Sequence, residues 1–235
     1  MTRAAPPPRP RGLVIAIDGP SGAGKSTAGR ILASRLGYVF LDTGAMYRAL
    51  ALQALRRRVS LDEGEGLAAL ARAARIDLAP EGEGVRLDGE DVTAAIRTRE
   101  VSAAASRVSV HGAVRREMVA RQREMGRAGG VVLDGRDIGT AVFPDADVKF
   151  YVDADPAQRA RRRHEELAAA GVDADPRAIE DEIRQRDRAD STRTDSPLTR
   201  APDAVHVDTT GLPPEAVVER MLEVVEARRR GRPGG

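Results

Sequence analysis

The chain has 235 residues, and its 38 lysine and arginine residues nearly balance its 36 aspartate and glutamate residues. Cysteine is absent, which excludes disulfide bonds and thiolate metal sites. No apolar run approaches the ~20 residues that span a bilayer. The polar, proline-rich start MTRAAPPPRPR does not resemble a signal peptide. We therefore expect a soluble, cytoplasmic protein that has no membrane partner.

Hydrophobic residues make up 41% of the chain, but aromatic residues only 3%. A buried core must therefore consist of alanine, valine, leucine and isoleucine. The basic charge is almost wholly arginine, because Lys25 and Lys149 are the only lysines. A general bias toward arginine explains most of this pattern. It does not explain Lys25, which is retained where a compact ammonium group does what a planar guanidinium does not.

Residues 13–27, LVIAIDGPSGAGKST, are the most informative stretch. Five apolar residues predict a short buried strand, a glycine-rich loop follows, and helical character begins at Ser26. Residues 19–26 fit G-x-x-x-x-G-K-[ST], in which backbone N–H groups and the positive end of a helix dipole bind phosphate. The alternative is a chance match, but the flanking strand and helix are those that the mechanism requires. The stretch predicts binding of a nucleoside triphosphate, with Lys25 on the outer phosphates and the Ser26 hydroxyl on Mg²⁺.

The remaining chain alternates short apolar runs with helical patterns. The predicted strands are 13–17, 38–41, 131–134, 148–152 and 204–208. The predicted helices are 26–36, 45–58, 62–75, 156–170, 176–190 and 213–228, with further helix within 93–127, where Val110, Val114 and Met118 are spaced for one face. Glu-Gly-Glu-Gly and Asp-Gly turns within 76–92 predict a small antiparallel sheet.

Alternating strands and helices predict an α/β fold with a mainly parallel five-stranded sheet of the P-loop NTPase type, flanked by helices. The antiparallel segment is then an insertion into this core. Ligands bind at the carboxyl ends of such strands. The phosphate-binding loop, the pair Asp42-Thr43, residues 134–137 and Asp153 all follow strand ends, so we expect them to converge.

An acid after a buried strand is where a protein of this type holds its metal ion, so Asp134 or Asp137 is a candidate. The alternative is an aspartate that caps the next turn. Arg48 and Arg136 lie near strand ends, where single arginines are usually solvated. Transfer between two phosphates favours a role for them, because bidentate guanidinium groups neutralise the repulsion between the phosphates.

Two arginine-rich segments allow more than one interpretation. In 184–193, RQRDRADSTR, the charges are spaced for surface ion pairs on a helix, which explains Arg184 and Asp187. It explains Arg193 poorly, because the sequence around Arg193 is not helix-like, and this favours a substrate-facing role for part of the segment.

Residues 159–163 are interpreted as a mobile lid that closes on the triphosphate. The alternatives are a solvated face and a nucleic-acid site, and the latter would need interleaved aromatic residues.

These stretches together resemble the bacterial cytidylate kinases, a family of nucleoside monophosphate kinases. The resemblance runs in family order from about residue 13 to 208. It is carried by IDGPSGAGKST, LDTGAMYR, LDGEDVTAAIRTREVSAAAS, the pair VRRE and RQR, LDGRDIGTAVFPDADVKFYVDA and QRDRADSTRTDSPL. The loop motif is shared by many families, whereas LDTGAMYR and DGRDIGT-x-VFPDA are far more specific. The resemblance implies transfer of the γ-phosphoryl group of ATP to CMP or dCMP, with Mg²⁺, in pyrimidine nucleotide metabolism.

The resemblance also implies roles for residues at matching positions. The catalytic residues would be Lys25, Arg48, Arg136 and Arg186. ATP would contact Gly19, Pro20, Ser21, Gly22, Ala23, Gly24, Lys25, Ser26 and Thr27, with Arg162 and Arg163 of the lid. CMP would contact Thr43, Tyr47, Arg48, Ser106, Arg115, Arg136, Asp137, Arg186, Asp190 and Arg193. Within that set, Ser106, Arg115 and Asp137 would read the cytosine edge. Separately from it, Ser26 and Asp134 would hold the metal ion.

Two positions depart from the family pattern. Ser26 stands where some relatives have glycine, which leaves open whether it ligates the metal directly or is replaceable by water. Thr43 stands where relatives often have serine, but the hydroxyl is kept.

The predicted organisation follows the same resemblance. It comprises a disordered arm (1–11), core segments (12–44, 129–155 and 191–229), a monophosphate-binding region (45–128, with the β insertion at about 76–92), a lid with flanking helices (156–190) and a frayed tail (230–235).

Three other functions are weighed against this one. A P-loop kinase for another small acceptor shares the loop and differs in the arginine clamp. A GTP-binding switch reads guanine with Asn-Lys-x-Asp, but this chain contains no asparagine. A nucleic-acid-dependent ATPase is suggested by the sequence pI of about 9.4, yet the low aromatic content and dispersed acids argue against it. We therefore expect no nucleic-acid partner, and a monomer.

Overall fold

The computed structural model describes residues 9–79, 82, 84–169 and 171–230. Its strands, in chain order, are β1 (Val14–Asp18), β2 (Val39–Asp42), β3 (Ile76–Leu78), β4 (Val85–Leu87), β5 (Glu90–Asp91), β6 (Val131–Gly135), β7 (Val148–Asp153) and β8 (Val205–Asp208). The helices are α1 (Lys25–Leu36), α2 (Thr43–Arg56), α3 (Gly64–Ala73), α4 (Arg99–Val108), α5 (Gly112–Gly126), α6 (Pro156–Ala169), α7 (Pro176–Thr192) and α8 (Pro214–Arg230).

The main sheet is parallel and has the strand order β2-β6-β1-β7-β8. This confirms the predicted α/β fold, and each predicted strand lies within one residue of its observed bounds. The register aligns Asp42 with Asp134 and Asp18 with Gly135. The polar residues that end these strands therefore lie side by side at one edge of the sheet.

Alternating residues of β1 divide the core between the two faces of the sheet. Ile15 and Ile17 belong to a cluster with α1 and α8, whereas Val14 and Ala16 pack with Val142 and its neighbours on the other face. A separate apolar cluster joins α2, α3, α4 and α5 to the insertion, and a small one joins α6 to α7. The division of the chain into core, monophosphate-binding region and lid stays a prediction, which these separate clusters support.

The predicted insertion at 76–92 is confirmed as an antiparallel sheet with the order β3-β4-β5. The predicted face with Val110, Val114 and Met118 is partly wrong. Val114 and Met118 are buried in α5, but Val110 is 45% exposed in the turn between α4 and α5. A one-turn π-helix at Ile138–Val142 was not predicted.

The ends of the chain differ in part from the prediction. Residues 1–8 and 231–235 lie outside the described residues, and so does residue 170 of the predicted helix 156–170. The last part of the predicted arm is ordered, because the Arg9 guanidinium pairs with Asp145 at 2.7 Å and Asp147 at 3.0 Å. The amide of Arg11 also donates to the carbonyl of Ala128 at 3.0 Å. Charge pairing therefore offsets the polar, proline-rich composition at 9–11.

The interior of α1 contains a glycine because the helix lies directly on the sheet. A Cβ at Gly29 would stand 2.7 Å from Phe40 Cε2 and 3.2 Å from Ile17 Cδ1. Both neighbours are buried ring or branched side chains, so they cannot move aside without disturbing the core.

We predict that Gly29→Ala lowers the free energy of unfolding by about 1–3 kcal/mol, although alanine is the better helix former. The matched control is Gly66→Ala in α3, where the new methyl group would meet only the Glu63 side chain. Urea denaturation at neutral pH measures both. A Gly29→Ala protein as stable as the Gly66→Ala protein would contradict the close packing of α1 on the sheet.

Candidate active site

A large cleft opens at the carboxyl edge of the parallel sheet and has a volume of about 1270 Å³. Sites for one drug-sized ligand usually hold about 300–1,000 Å³, so this cleft has room for a larger ligand or for two. It is lined by these predicted site residues: Ser21, Gly22, Gly24, Lys25, Ser26, Thr27, Thr43, Tyr47, Arg48, Ser106, Arg115, Asp134, Arg136, Asp137, Arg162, Arg163, Arg186, Asp190 and Arg193.

Some residues that were expected to converge do not line the cleft. Gly19, Pro20 and Ala23 belong to the phosphate-binding loop (residues 19–26) without facing the cleft. Asp153 is also absent from the lining, because its carboxylate accepts the N–H of Ala154 at 2.7 Å and caps its own turn.

The phosphate-binding loop has the backbone that its glycines predict. Gly22 and Gly24 have φ values of 76° and 86°, which other residues rarely adopt. Gly19 lies against the carbonyl of Val152, and a Cβ there would stand 1.9 Å from that oxygen. Helix α1 begins at Lys25, so its free N–H groups and positive dipole end face the loop.

Lys25 is 6% exposed, and its ammonium group donates to the carbonyl of Pro20 at 2.6 Å. Burial and, to a smaller extent, the nearby guanidinium of Arg136 lower the pKa of Lys25 to about 7. Asp134 acts in the opposite direction. An anion placed here would favour the charged ammonium form, which is how a lysine serves a phosphate site.

Ser26 and Asp134 form the candidate metal site. The Ser26 hydroxyl donates to Asp134 Oδ2 at 2.5 Å. The other oxygen, Oδ1, is buried and has no hydrogen-bond partner among the described residues. Burial raises the pKa of Asp134 to about 6, and the neighbouring charge of Asp42 adds to this.

A buried carboxylate oxygen without a partner, next to a hydroxyl, fits Mg²⁺. This ion is usually held by one or two protein ligands together with substrate phosphates and water. No group of three or more His, Cys, Asp or Glu suited to a metal occurs in the described part of the chain.

Asp42 and Asp190 hold Arg48 and Arg136, the two arginines predicted to clamp the acceptor phosphate. Asp42 caps α2 by accepting the N–H of Ala45 at 2.9 Å, and its other oxygen accepts from Arg48 at 2.8 Å. Asp190 accepts from Arg136 Nε at 2.7 Å. In both arginines the guanidinium is fixed on one side while the residue still lines the cleft.

Arg186, which is also predicted to contact the acceptor, differs from Arg48 and Arg136. Among the described residues it forms no ion pair with a carboxylate within 4 Å, and its buried Nε has no partner. Burial lowers the pKa of Arg186 to about 10, followed by the repelling charge of Arg136. Asp190 acts in the opposite direction, whereas the smaller contributions of Arg48 and Arg163 lower the pKa again. A cluster of cations that repel one another around a cleft is arranged for an anion.

A second group joins residues of α5 and α2 to Asp137 and Arg193, which follow β6 and α7. The Asp137 carboxylate, 6% exposed, accepts from Arg115 and lies 3.7 Å from Arg193 Nη2. Arg115 stacks over the ring of Tyr47 at 5.8 Å. Burial raises the pKa of Tyr47 to about 12, so the phenol stays neutral. The Ser106 hydroxyl donates to its own helix, to the Ser102 carbonyl at 3.4 Å.

The arginines of the predicted lid have different surroundings. Arg162 donates to Thr209 through Nη1 at 3.1 Å and Nη2 at 2.8 Å. Arg163 pairs with Glu166 at 3.1 Å and lines the cleft. Arg159 is buried and joins three elements, since it donates to Ala154 O, to Ser21 O of the phosphate-binding loop and to Asp187 of α7.

Sequence reasoning missed the roles of Arg159 and Asp18 in holding these elements together. The Asp18 carboxylate ends β1 and accepts the N–H groups of Ile138 and Gly139, both at 2.7 Å. The available signal was a charged residue at the end of an otherwise apolar strand, directly before the loop. Arg159 lies in a run of charged residues, and the sequence of such a run does not indicate which of its side chains are solvated and which are buried.

The parallel sheet, the phosphate-binding loop and the cation-lined cleft define a kinase of the P-loop class. Residues 15–227 match the model of the family described as cytidylate kinase. The cytidylate kinase of Geobacillus kaustophilus is 51% identical over 93% of this chain and 98% of its own length. That of Solibacter usitatus is 52% identical over 92% of this chain and 93% of its own. The chain belongs to the cytidylate kinase family.

A solved structure of an uncharacterized protein from Eubacterium ventriosum has a similar fold. Its TM-score is 0.53 at 8% identity, over 92% of this chain and 99% of that one. Within the residues that the structure describes, no helix is both long enough and apolar enough to cross a bilayer.

The lowered pKa of Lys25 makes a prediction about stability and pH. Above pH 7 the folded protein releases this proton, whereas the unfolded chain keeps it up to about pH 10.5. The unfolded state then binds more protons, so the stability of the wild type rises with pH relative to Lys25→Met, by about 1 kcal/mol per pH unit. Urea denaturation of both proteins between pH 7 and 9.5 measures this. A constant difference would show that Lys25 is not held with a lowered pKa.

Proposed function

We propose that the protein transfers the γ-phosphoryl group of ATP to CMP or dCMP, giving ADP and CDP or dCDP. Family membership supports the reaction class, and the relatives named above are cytidylate kinases. The observation that carries the proposal is the set of cations around Arg186. Among the described residues Arg186 forms no ion pair with a carboxylate, and the repulsion from Arg136, Arg48 and Arg163 is opposed by the charge of Asp190. Two anionic substrates that approach each other supply the missing negative charge.

The donor half of the site is the phosphate-binding loop. Backbone N–H groups and the start of α1 hold the triphosphate, and Lys25 moves from the Pro20 carbonyl to the outer phosphates. Arg162 and Arg163 on α6 face the same cleft and close over it. Exclusion of water strengthens these interactions and prevents hydrolysis of ATP.

The acceptor half of the site holds the monophosphate between Arg48, Arg136 and Arg186. The nucleophile is a phosphate oxygen, which is already anionic at neutral pH, so the reaction needs no general base. Catalysis then consists of positioning and of stabilising charge that develops on the transferred group. Asp42 and Asp190 fix two of the guanidinium groups before the substrate arrives, so little reorganisation is left for the reaction itself.

Ser26 and the unpartnered oxygen of Asp134 would hold Mg²⁺ beside the phosphates. When bound there, the ion would act as a Lewis acid toward the phosphate oxygens. The chain contributes the buried carboxylate, and the raised pKa of Asp134 falls again when a cation is present.

The acceptor base would be read by Asp137, Arg115 and Ser106. Cytosine presents an amino donor where uracil presents a carbonyl oxygen, so an acidic reader accepts cytosine and leaves a lone-pair clash with uracil. An unpaired buried polar group costs about 1–3 kcal/mol, enough to favour CMP. Asp190, Arg193, Thr43 and Tyr47 would hold the sugar and line the pocket.

The proposal is tested by a coupled assay with ATP across CMP, dCMP, UMP and AMP. We expect the highest kcat/KM for CMP or dCMP without any nucleic acid. If another acceptor is clearly preferred, the protein is a P-loop kinase of different specificity. If activity requires nucleic acid, the assignment to small-molecule phosphoryl transfer is wrong. That the protein is monomeric and cytoplasmic stays a prediction.

The clamp predicts a large effect at Arg186. Arg186→Met removes a cation that has no carboxylate partner, so kcat/KM for CMP is expected to fall by about 10²–10³, with a smaller change in KM for ATP. The matched control is Arg184→Met in the same helix, which removes an exposed pair with Glu180 and should leave both constants near wild type. Equal kinetics for the two variants would contradict the clamp.

A further inference from the structure

Asp18 lies between the donor and acceptor halves of the site. It is the last residue of β1, directly before the phosphate-binding loop, and is 4% exposed. Its two oxygens accept the consecutive N–H groups of Ile138 and Gly139, each at 2.7 Å. A carboxylate that accepts two successive backbone donors fixes both the place and the orientation of that backbone.

The backbone that Asp18 holds directly follows two predicted acceptor-site residues. Arg136 reaches Asp190, and Asp137 is paired with Arg115. The carbonyl of Asp137 also accepts the N–H groups of Ala141 and Val142, at 2.8 Å and 3.1 Å. A shift at Ile138 and Gly139 would therefore displace both residues together.

The same segment has almost no room to move toward the strands. A Cβ at Gly135 would stand 2.7 Å from Ile138 Cδ1. A Cβ at Gly139 would stand 3.0 Å from Lys149 Cδ and 3.3 Å from the Asp18 carboxylate. The segment is thus packed on one side and held by Asp18 at its base, so Asp18 determines where it sits.

We propose that Asp18 is a positioning residue that sets Arg136 and Asp137 in register with the phosphate-binding loop, and so contributes to acceptor selectivity. The identity of the acceptor rests on the proposed function. Asp18 itself touches no substrate, and its effect passes through the two backbone N–H groups.

The negative charge of Asp18 does not stabilise the folded protein. Burial raises the pKa of Asp18 to about 6, and the nearby charge of Asp137 adds to this, whereas the two backbone hydrogen bonds and Lys25 act against it. At neutral pH the carboxylate is therefore largely ionised, and its ionisation costs the folded state free energy relative to the unfolded chain. Asparagine has the same size, so Asp18→Asn is expected to fold. The hydrogen bond that it loses lowers the free energy of unfolding, which the removal of the buried charge offsets in part.

The test compares Asp18→Asn with the wild type, using ATP with CMP and with UMP. The amide group turns an N–H toward one of the two backbone donors, so one hydrogen bond to the segment is lost. We expect kcat/KM for CMP to fall by about tenfold or more. The preference for CMP over UMP should shrink, and KM for ATP should stay near wild type. Hydrogen exchange in peptides that cover 136–142 should accelerate.

The matched control is Asp147→Asn. Asp147 is 6% exposed, accepts the N–H of Val14 at 2.8 Å at the opposite end of β1, and pairs with Arg9. Its loss should lower the thermal midpoint while leaving the CMP-to-UMP ratio unchanged. A second variant, Gly139→Ala, places a methyl group 3.0 Å from Lys149 Cδ and 3.3 Å from the Asp18 carboxylate. It should push the segment away from Asp18 and also reduce the ratio.

Two results would overturn the proposal. The first is an unchanged CMP-to-UMP ratio in both Asp18→Asn and Gly139→Ala. The second is a loss of activity in Asp18→Asn that is equal for both acceptors and matched by Asp147→Asn, which would mark Asp18 as purely structural. If the wild type itself prefers another acceptor, the proposed function fails, and the same ratio measured with the preferred acceptor and its analogue decides the role of Asp18.

Discussion

Buried guanidinium groups keep their charge at neutral pH, because even the pKa of Arg186, which burial lowers, stays at about 10. The cleft gathers several of them around Arg186, and the nearby carboxylates of Asp42 and Asp190 hold some without neutralising all. This repulsion is a cost to the folded protein while the cleft is empty. Phosphate groups remove the cost, so the same arrangement that strains the free site provides affinity for anions.

The carboxylates of the site have two separable tasks. Asp42, Asp137 and Asp190 orient arginines before any ligand binds, which reduces the reorganisation needed during the reaction. Asp134 instead keeps one buried oxygen without a partner. Asp42, Asp137 and Asp190 thus fix the positions of arginines, whereas the unpartnered oxygen of Asp134 is available for a cation.

The parallel sheet could be predicted almost residue by residue, because apolar runs of about five residues that end at glycine or aspartate are typical of buried parallel strands. The turn at Ile138–Val142 could not, since GRDIGTAV shows neither helical nor strand periodicity. Val110 was placed on the wrong face because its spacing continues that of α5, whereas the chain turns at 109–111. Local pattern does not reveal a turn that tertiary contacts produce.

The site was predictable to the extent that its residues follow strand ends or a specific motif. All but three of the predicted residues face one cleft, although their individual roles stay predictions. The supporting contacts of Asp18 and Arg159 were not predictable, because they join segments more than 100 residues apart. A carboxylate at a strand end indicates a polar edge, but only the fold shows which amide groups it meets.

The two lysines have a consequence for chemical labelling. Lys149 is 5% exposed and pairs with Asp203 at 2.9 Å, and Lys25 lies at the base of the cleft. The described surface therefore offers amine-directed reagents almost nothing to modify. An acylating probe of lysine would report on the cleft, since Lys25 lies at its base and burial lowers the pKa of its amine. Protection of Lys25 from acylation would therefore show when a ligand occupies the phosphate-binding loop.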